Sequence, residues 1–100
     1  MDYHVMDEDG DEGLLIEEMA NGTLKLTIAS EESVMQRSDL VYAEGNYDIL
    51  CCDGYIALSV EENDDGSLYL GIGLEEVFVT KEDFIATLTE ITNKKENSND

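Results

Sequence analysis

Shifting the chain by 44 positions, without a gap, lays it on itself. Tyr3 falls on Tyr47, Asp9-Gly10 on Asp53-Gly54, Leu14 on Leu58 and Glu17-Glu18 on Glu61-Glu62. Gly22, Leu24, Leu26 and Ile28 fall on Gly66, Leu68, Leu70 and Ile72, Glu31-Glu32 on Glu75-Glu76, and Asp39 on Asp83, giving 13 identities over 44 aligned positions. Val5/Ile49, Ile16/Val60, Thr23/Ser67, Arg37/Lys81, Leu40/Phe84 and Val41/Ile85 are conservative pairs in the same register. Glutamate matches glutamate cheaply in an acidic chain, but Tyr, Gly, Leu and Ile do not, and self-similarity at a fixed period marks a repeated unit. Units 1–44 and 45–92 are each near the lower size limit for burying a core, so they are expected to share one in a single domain, 1–92.

Each unit opens with a short apolar stretch, Tyr3 to Met6 or Tyr47 to Cys52, and then Asp-Gly, a tight-turn dipeptide because it accepts positive φ. Leu14 to Met19 and Tyr55 to Glu62 follow, then a second turn at Asn21-Gly22 or Asp65-Gly66, then the alternations Leu24, Leu26, Ile28 and Leu68, Leu70, Ile72. Such segments read as hairpins, with Ile56, Leu58 and Val60 as one apolar face and Tyr55, Ala57 and Ser59 opposite. Val34-Met35 and Val77-Phe78-Val79 suit a fourth strand. Thr80-Lys-Glu-Asp reads as a capping box opening a helix whose stripe is Phe84, Ile85, Leu88 and Ile91. Its counterpart, Arg37 to Glu44, is cut short by Gly45 and has room for one or two turns. From Asn93 to Asp100 a disordered polar tail is expected. The fold class is thus α+β: two tandem ββββα repeats in a mostly antiparallel sheet or half-barrel, with one long C-terminal helix and one short helix. In topology the unit, best from Tyr47 to Ile91, resembles that of the Whirly single-stranded DNA-binding proteins. Their basic and aromatic sheet surface is replaced here by carboxylates, so their ligand does not carry over.

Twenty-five Asp plus Glu against five Lys plus Arg give a net charge of -20, which excludes the basic patch that direct nucleic-acid binding needs and disfavours an anionic membrane surface. A hydrophobic content of 42% still supports a folded core. No apolar run reaches the length of a membrane span, and Asp2, Asp7, Glu8 and Asp9 are the opposite of a signal peptide, so a cytoplasmic protein is expected. Cys51 and Cys52 are adjacent, which is poor geometry for a mutual disulfide. In a strand they point to opposite faces. With one histidine, His4, whose counterpart is Asp48, and no tryptophan or phosphate-cradling glycine motif, no enzyme and no cofactor are expected. Asp7, Asp9, Asp11 and Glu18 follow an EF-hand-like spacing and form a weak calcium candidate. Glu12, however, stands where that loop needs glycine, and the second unit has Cys51, Asp53 and Tyr55 instead of the three aspartates.

The acidic pairs carry the functional expectation: Glu17-Glu18 and Glu61-Glu62 precede the hairpin turns, Asp64-Asp65 occupy one, and Glu31-Glu32 and Glu75-Glu76 leave the next strands. Charge on sheet edges protects against aggregation, which accounts for some of these acids but hardly for all. Duplex DNA carries about 20 charges in roughly 34 Å, one helical turn, and a compact chain of this length has a diameter of roughly 30 to 35 Å. The two linear charge densities are comparable. Carboxylates two residues apart on a strand are about 6.6 Å apart, similar to neighbouring phosphates. As a class this resembles the phage and mobile-element DNA mimics that block restriction, CRISPR or repair nucleases. The expectation is an acidic inhibitor, monomer or homodimer, that occupies the nucleic-acid-binding surface of a basic protein or nuclease complex, with Tyr42, Tyr55 or Tyr69 adding specificity. The alternatives are an immunity or antitoxin protein for one basic toxin, and an acidic accessory or assembly subunit.

Overall fold

Alternating apolar and polar side chains drive the chain into strands that bury every second residue. β3 is the clearest case, burying Leu24, Leu26 and Ile28 and leaving Thr23, Lys25 and Thr27 half-covered. The structure, a computed structural model, describes residues 2–51 and 53–97. The order is β1 (Asp2–Met6), β2 (Glu12–Glu18), β3 (Thr23–Ile28), β4 (Glu31–Gln36), a single 3-10 turn (Arg37–Asp39), β5 (Tyr47–Leu50), β6 (Ile56–Glu62), β7 (Ser67–Ile72), β8 (Glu75–Thr80) and α1 (Lys81–Asn97). Among the described residues the fold is α+β, with two four-stranded antiparallel sheets and one α-helix.

The strands do not join into the single sheet or half-barrel expected from sequence. They form two sheets, ordered β1-β2-β3-β4 and β5-β6-β7-β8, linked among the described residues by one isolated bridge, Asp7 to Val79. Every ladder partner is the next strand in sequence, because the tight turns close each hairpin locally, whereas the 3-10 turn and loop between β4 and β5 leave those two strands unpaired. Each sheet then has one apolar face to cover, and both faces merge into one core containing Leu14, Ile16, Leu26, Leu58, Leu70 and Phe84. The sheets meet closely at two seams. Ser33 Oγ donates to the Ala57 carbonyl at 2.7 Å, and Gly13 lies beneath Val77.

The expected short helix over Arg37 to Glu44 is also absent as such. After the 3-10 turn Leu40 is extended (φ -82°, ψ 93°) and buried, and no second α-helix occurs among the described residues. The cap explains the difference. Gln36 makes no capping bond, whereas Thr80 Oγ1 accepts the Asp83 amide at 3.2 Å and starts α1. α1 packs Phe84, Leu88 and Ile91 against the core, with β1 and β8 as its neighbours. It runs to Asn97, so the first five residues of the segment expected to be a disordered tail are helical, and Lys94, Lys95 and Glu96 are good helix formers. Residues 98–100 lie outside the described residues. Ile56 departs from its expected face: a bulge between Ile49 and Leu50 shifts the register, so Ile56 is exposed opposite Leu50 while Ala57 and Leu58 are both buried. Cys51 is half-buried against the core; Cys52 lies outside the described residues.

β2, β3 and β4 begin and end 44 positions before β6, β7 and β8. The bonds that close the turns keep the same spacing: the Asp7 amide donates to the Asp11 carbonyl and the Cys51 amide to that of Tyr55, each at 2.7 Å, while Arg37 donates to Gly22 and Lys81 to Gly66, each at 3.3 Å. The radius of gyration is 12.8 Å and the extents are 39 × 27 × 24 Å.

Candidate functional site

Two of the ten candidate acids are engaged internally, in the same way. Glu18, at the end of β2, accepts the Tyr3 hydroxyl at 3.0 Å and pairs with Arg37 Nη2 at 2.7 Å, and Arg37 also donates to the Ile91 carbonyl of α1. Glu62, at the end of β6, accepts the Gly45 amide at 3.0 Å, the Tyr42 hydroxyl at 3.3 Å and Lys81 Nζ at 2.9 Å. The amide and then the ammonium hold the Glu62 carboxyl below its ordinary pKa, and the bond to Glu62 raises that of Lys81. Burial, reinforced by Glu18, pushes the Tyr3 phenol up to about 12. Asp65 serves its own turn, bonded by the Ser67 hydroxyl and amide, which lower its pKa. Asp64 is exposed beside it. Lys25 pairs with Glu32 at 3.3 Å, so each cation whose side chain is described, Lys25, Arg37 and Lys81, is held by a glutamate.

The outer faces of the two sheets differ sharply at matched positions. On the β5–β8 sheet the registers give two rows, Asp48-Ser59-Gly71-Glu76 and Glu61-Tyr69-Phe78. The corresponding rows of the first sheet are His4-Leu15-Thr27-Glu32 and Asp2-Glu17-Lys25-Val34. Each face carries three carboxylates, but the β5–β8 face adds two aromatic rings and no cation, whereas the other adds Lys25, paired with Glu32, a histidine engaged by Glu12, and aliphatic groups. The Tyr69 and Phe78 rings lie 4.6 Å apart between centroids, and Phe78 is 45% exposed. A hydrogen bond to Glu76, then burial, then the charges of Glu76 and Glu61 raise the Tyr69 phenol above its ordinary pKa.

The Asp7–Val79 bridge brings the acidic β1–β2 loop alongside this face. Between them runs an open cleft of about 380 Å³ lined by Asp7, Glu8, Asp9, Glu76, Val77 and Phe78. Asp7 Oδ1 accepts the amides of Asp9 and Asp11, both at 2.9 Å, which shapes the loop and turns Glu8 and Asp9 outward as exposed residues. The fold thus gathers Glu61 and Glu76 with Asp48 and the loop acids, whereas Glu17 and Glu32 lie on the other sheet, and Glu31 and Glu75 at the β3–β4 and β7–β8 turns are half-buried. Glu31 lies under Gly73, near the position a Cβ would take there.

The calcium candidates are not brought together. Asp7, Asp9 and Asp11 share the loop, but Glu18 is at the far end of β2, about 20 Å along the strand, beside Arg37. Among the described residues no three of His, Cys, Asp and Glu form a metal-holding group, and no helix is long and apolar enough to cross a membrane. Tyr42 packs edge-on against Tyr47 rather than facing outward, while Tyr55 is exposed at the β5–β6 turn. Sequence reasoning missed Phe78 and Asp48 as site residues. The signal available was the contrast of Lys25 and Val34 with Tyr69 and Phe78 in the repeat register. Comparison with protein-family models, curated proteins and solved structures gave no match to this chain.

Proposed function

We propose that the protein is an acidic inhibitor of the DNA-mimic type, which occupies the nucleic-acid-binding surface of a basic protein, such as a nuclease complex, in the cytoplasm. The observation that carries this reading is the β5–β8 outer face with its adjoining loop: Asp7, Glu8, Asp9, Asp48, Glu61 and Glu76 on one surface, with the described cations paired elsewhere. Asp48 and Glu76 are three strand spacings apart, about 14 Å. The 39 Å long axis is close to one turn of duplex DNA, roughly 34 Å. The field of such a surface accelerates encounter with a cationic groove, and the exposed aromatic pair supplies contact area once it is docked. The matched strand limits and turn bonds support a duplicated unit. We read the first copy as the support for α1 and the core, and the second as the binding copy.

The test is a tagged pull-down against a panel of nucleic-acid enzymes, washed at low and high salt, with and without competing duplex DNA. Capture of a partner displaced by both salt and DNA is the expected result. Reversing Glu61 and Glu76 together to lysine should weaken that capture at least tenfold and flatten its salt dependence. A salt-resistant partner indifferent to DNA would overturn the mimic and favour the immunity or antitoxin reading.

A further inference from the structure

Resting on that reading, we propose that the cleft between the β1–β2 loop and β8 receives an arginine side chain of the partner, its guanidinium stacked on Phe78 and bonded by Glu76 and the loop carboxylates. The fold does not itself require an aromatic ring here. Val34 occupies the position of Phe78 in the first sheet, and Lys25 that of Tyr69, within ladders of identical register. Cross-strand aromatic pairs stabilise sheets, but the first sheet forms without one, and Phe78 leaves nearly half its surface exposed.

The chemistry selects the occupant. Four carboxylates line the cleft and no cation does, so an anion is excluded and a cation is favoured. Among protein cations, the planar guanidinium stacks on an aromatic face, bonds a carboxylate through two parallel N–H groups, and sheds water more readily than an ammonium. Tyr69 lies beside Phe78 on the neighbouring strand, its ring tilted 45° to it with centroids 4.6 Å apart, and braces the wall of the cleft.

The test uses nona-arginine and nona-lysine peptides of equal charge as probes, titrated calorimetrically into the full chain at physiological salt, with amide chemical shifts followed by NMR. The general acidic field attracts both peptides, so the readout is their ratio. Nona-arginine should bind about five- to tenfold more tightly than nona-lysine, with the largest shifts at Asp7 to Asp9 and Glu76 to Phe78. Phe78→Val should weaken nona-arginine more than nona-lysine and so lower the ratio by at least about twofold, and its counterpart Val34 indicates that the sheet accepts valine at this position. Equal affinity in the wild type, an unchanged ratio in Phe78→Val, or shifts centred away from the cleft would overturn the arginine site. Those outcomes leave the inhibitor reading standing, since that reading is judged by salt and DNA displacement of a captured partner.

Discussion

Gly13→Ala probes the seam between the two sheets with the smallest available perturbation. A Cβ on Gly13 would lie 2.9 Å from the Val5 carbonyl oxygen, 3.1 Å from Val77 Cγ2 and 3.3 Å from the Asp7 amide nitrogen. Two of those neighbours are backbone atoms, one in β1 and one just after it, and cannot rotate away. Replacing glycine by alanine restricts the unfolded chain and by itself stabilises by about 0.4–1 kcal/mol. Overpacking a closed site costs about 1–3 kcal/mol, which outweighs that gain. The net loss is then on the order of 1–2 kcal/mol, a fall in melting temperature of roughly 5–15 °C for a domain of this size. The matched position in β6 already holds alanine, and the residue matched to Val77 is Ser33, which bonds the Ala57 carbonyl instead of crowding it. Val77→Ser should therefore relieve part of the loss, with a favourable coupling of about 0.5–1 kcal/mol in a double-mutant cycle. Thermal and urea unfolding followed by circular dichroism measure all four proteins. An unchanged or raised melting temperature in Gly13→Ala, or strict additivity with Val77→Ser, would refute the close seam.

Phe84→Ala removes the fully buried anchor of α1 and should cost about 3–5 kcal/mol in urea unfolding, the range of buried aromatic truncations; a loss under 1 kcal/mol would mean that α1 is not part of the core. At alkaline pH the fold favours the neutral Tyr3 phenol, whose pKa is raised from 10.0 to about 12. Its stabilisation is therefore complete below about pH 10 and is lost as pH rises through 12, so a Tyr3→Phe variant should show a flatter decline across that window. At acid pH the sign reverses for Glu62, whose folded pKa lies below 4.5. Its contribution is present above that value and is lost as pH falls below it, and Glu62→Gln should flatten the acid limb of the stability curve.

The period-two alternation in β3 and β7 and the turn dipeptides fixed the hairpins from sequence, because side-chain direction and positive φ are local properties that need no knowledge of distant residues. The antiparallel pairing was legible for the same reason, since each strand pairs only with its neighbours in sequence. The capping threonine and the stripe through Phe84, Leu88 and Ile91 placed α1, whereas the missing cap at Gln36 left its expected counterpart as one 3-10 turn. Charge alone suggested the class of partner but weighted every glutamate alike. Only the tertiary structure separated Glu18 and Glu62, turned inward to Arg37 and Lys81, from Glu61 and Glu76 on the open face. It likewise decided that the Asp7 to Asp9 loop adjoins Phe78, some 70 residues away in sequence. That juxtaposition depends on how the two apolar sheet faces cover each other, and non-directional burial of this kind leaves no local mark in the order of residues.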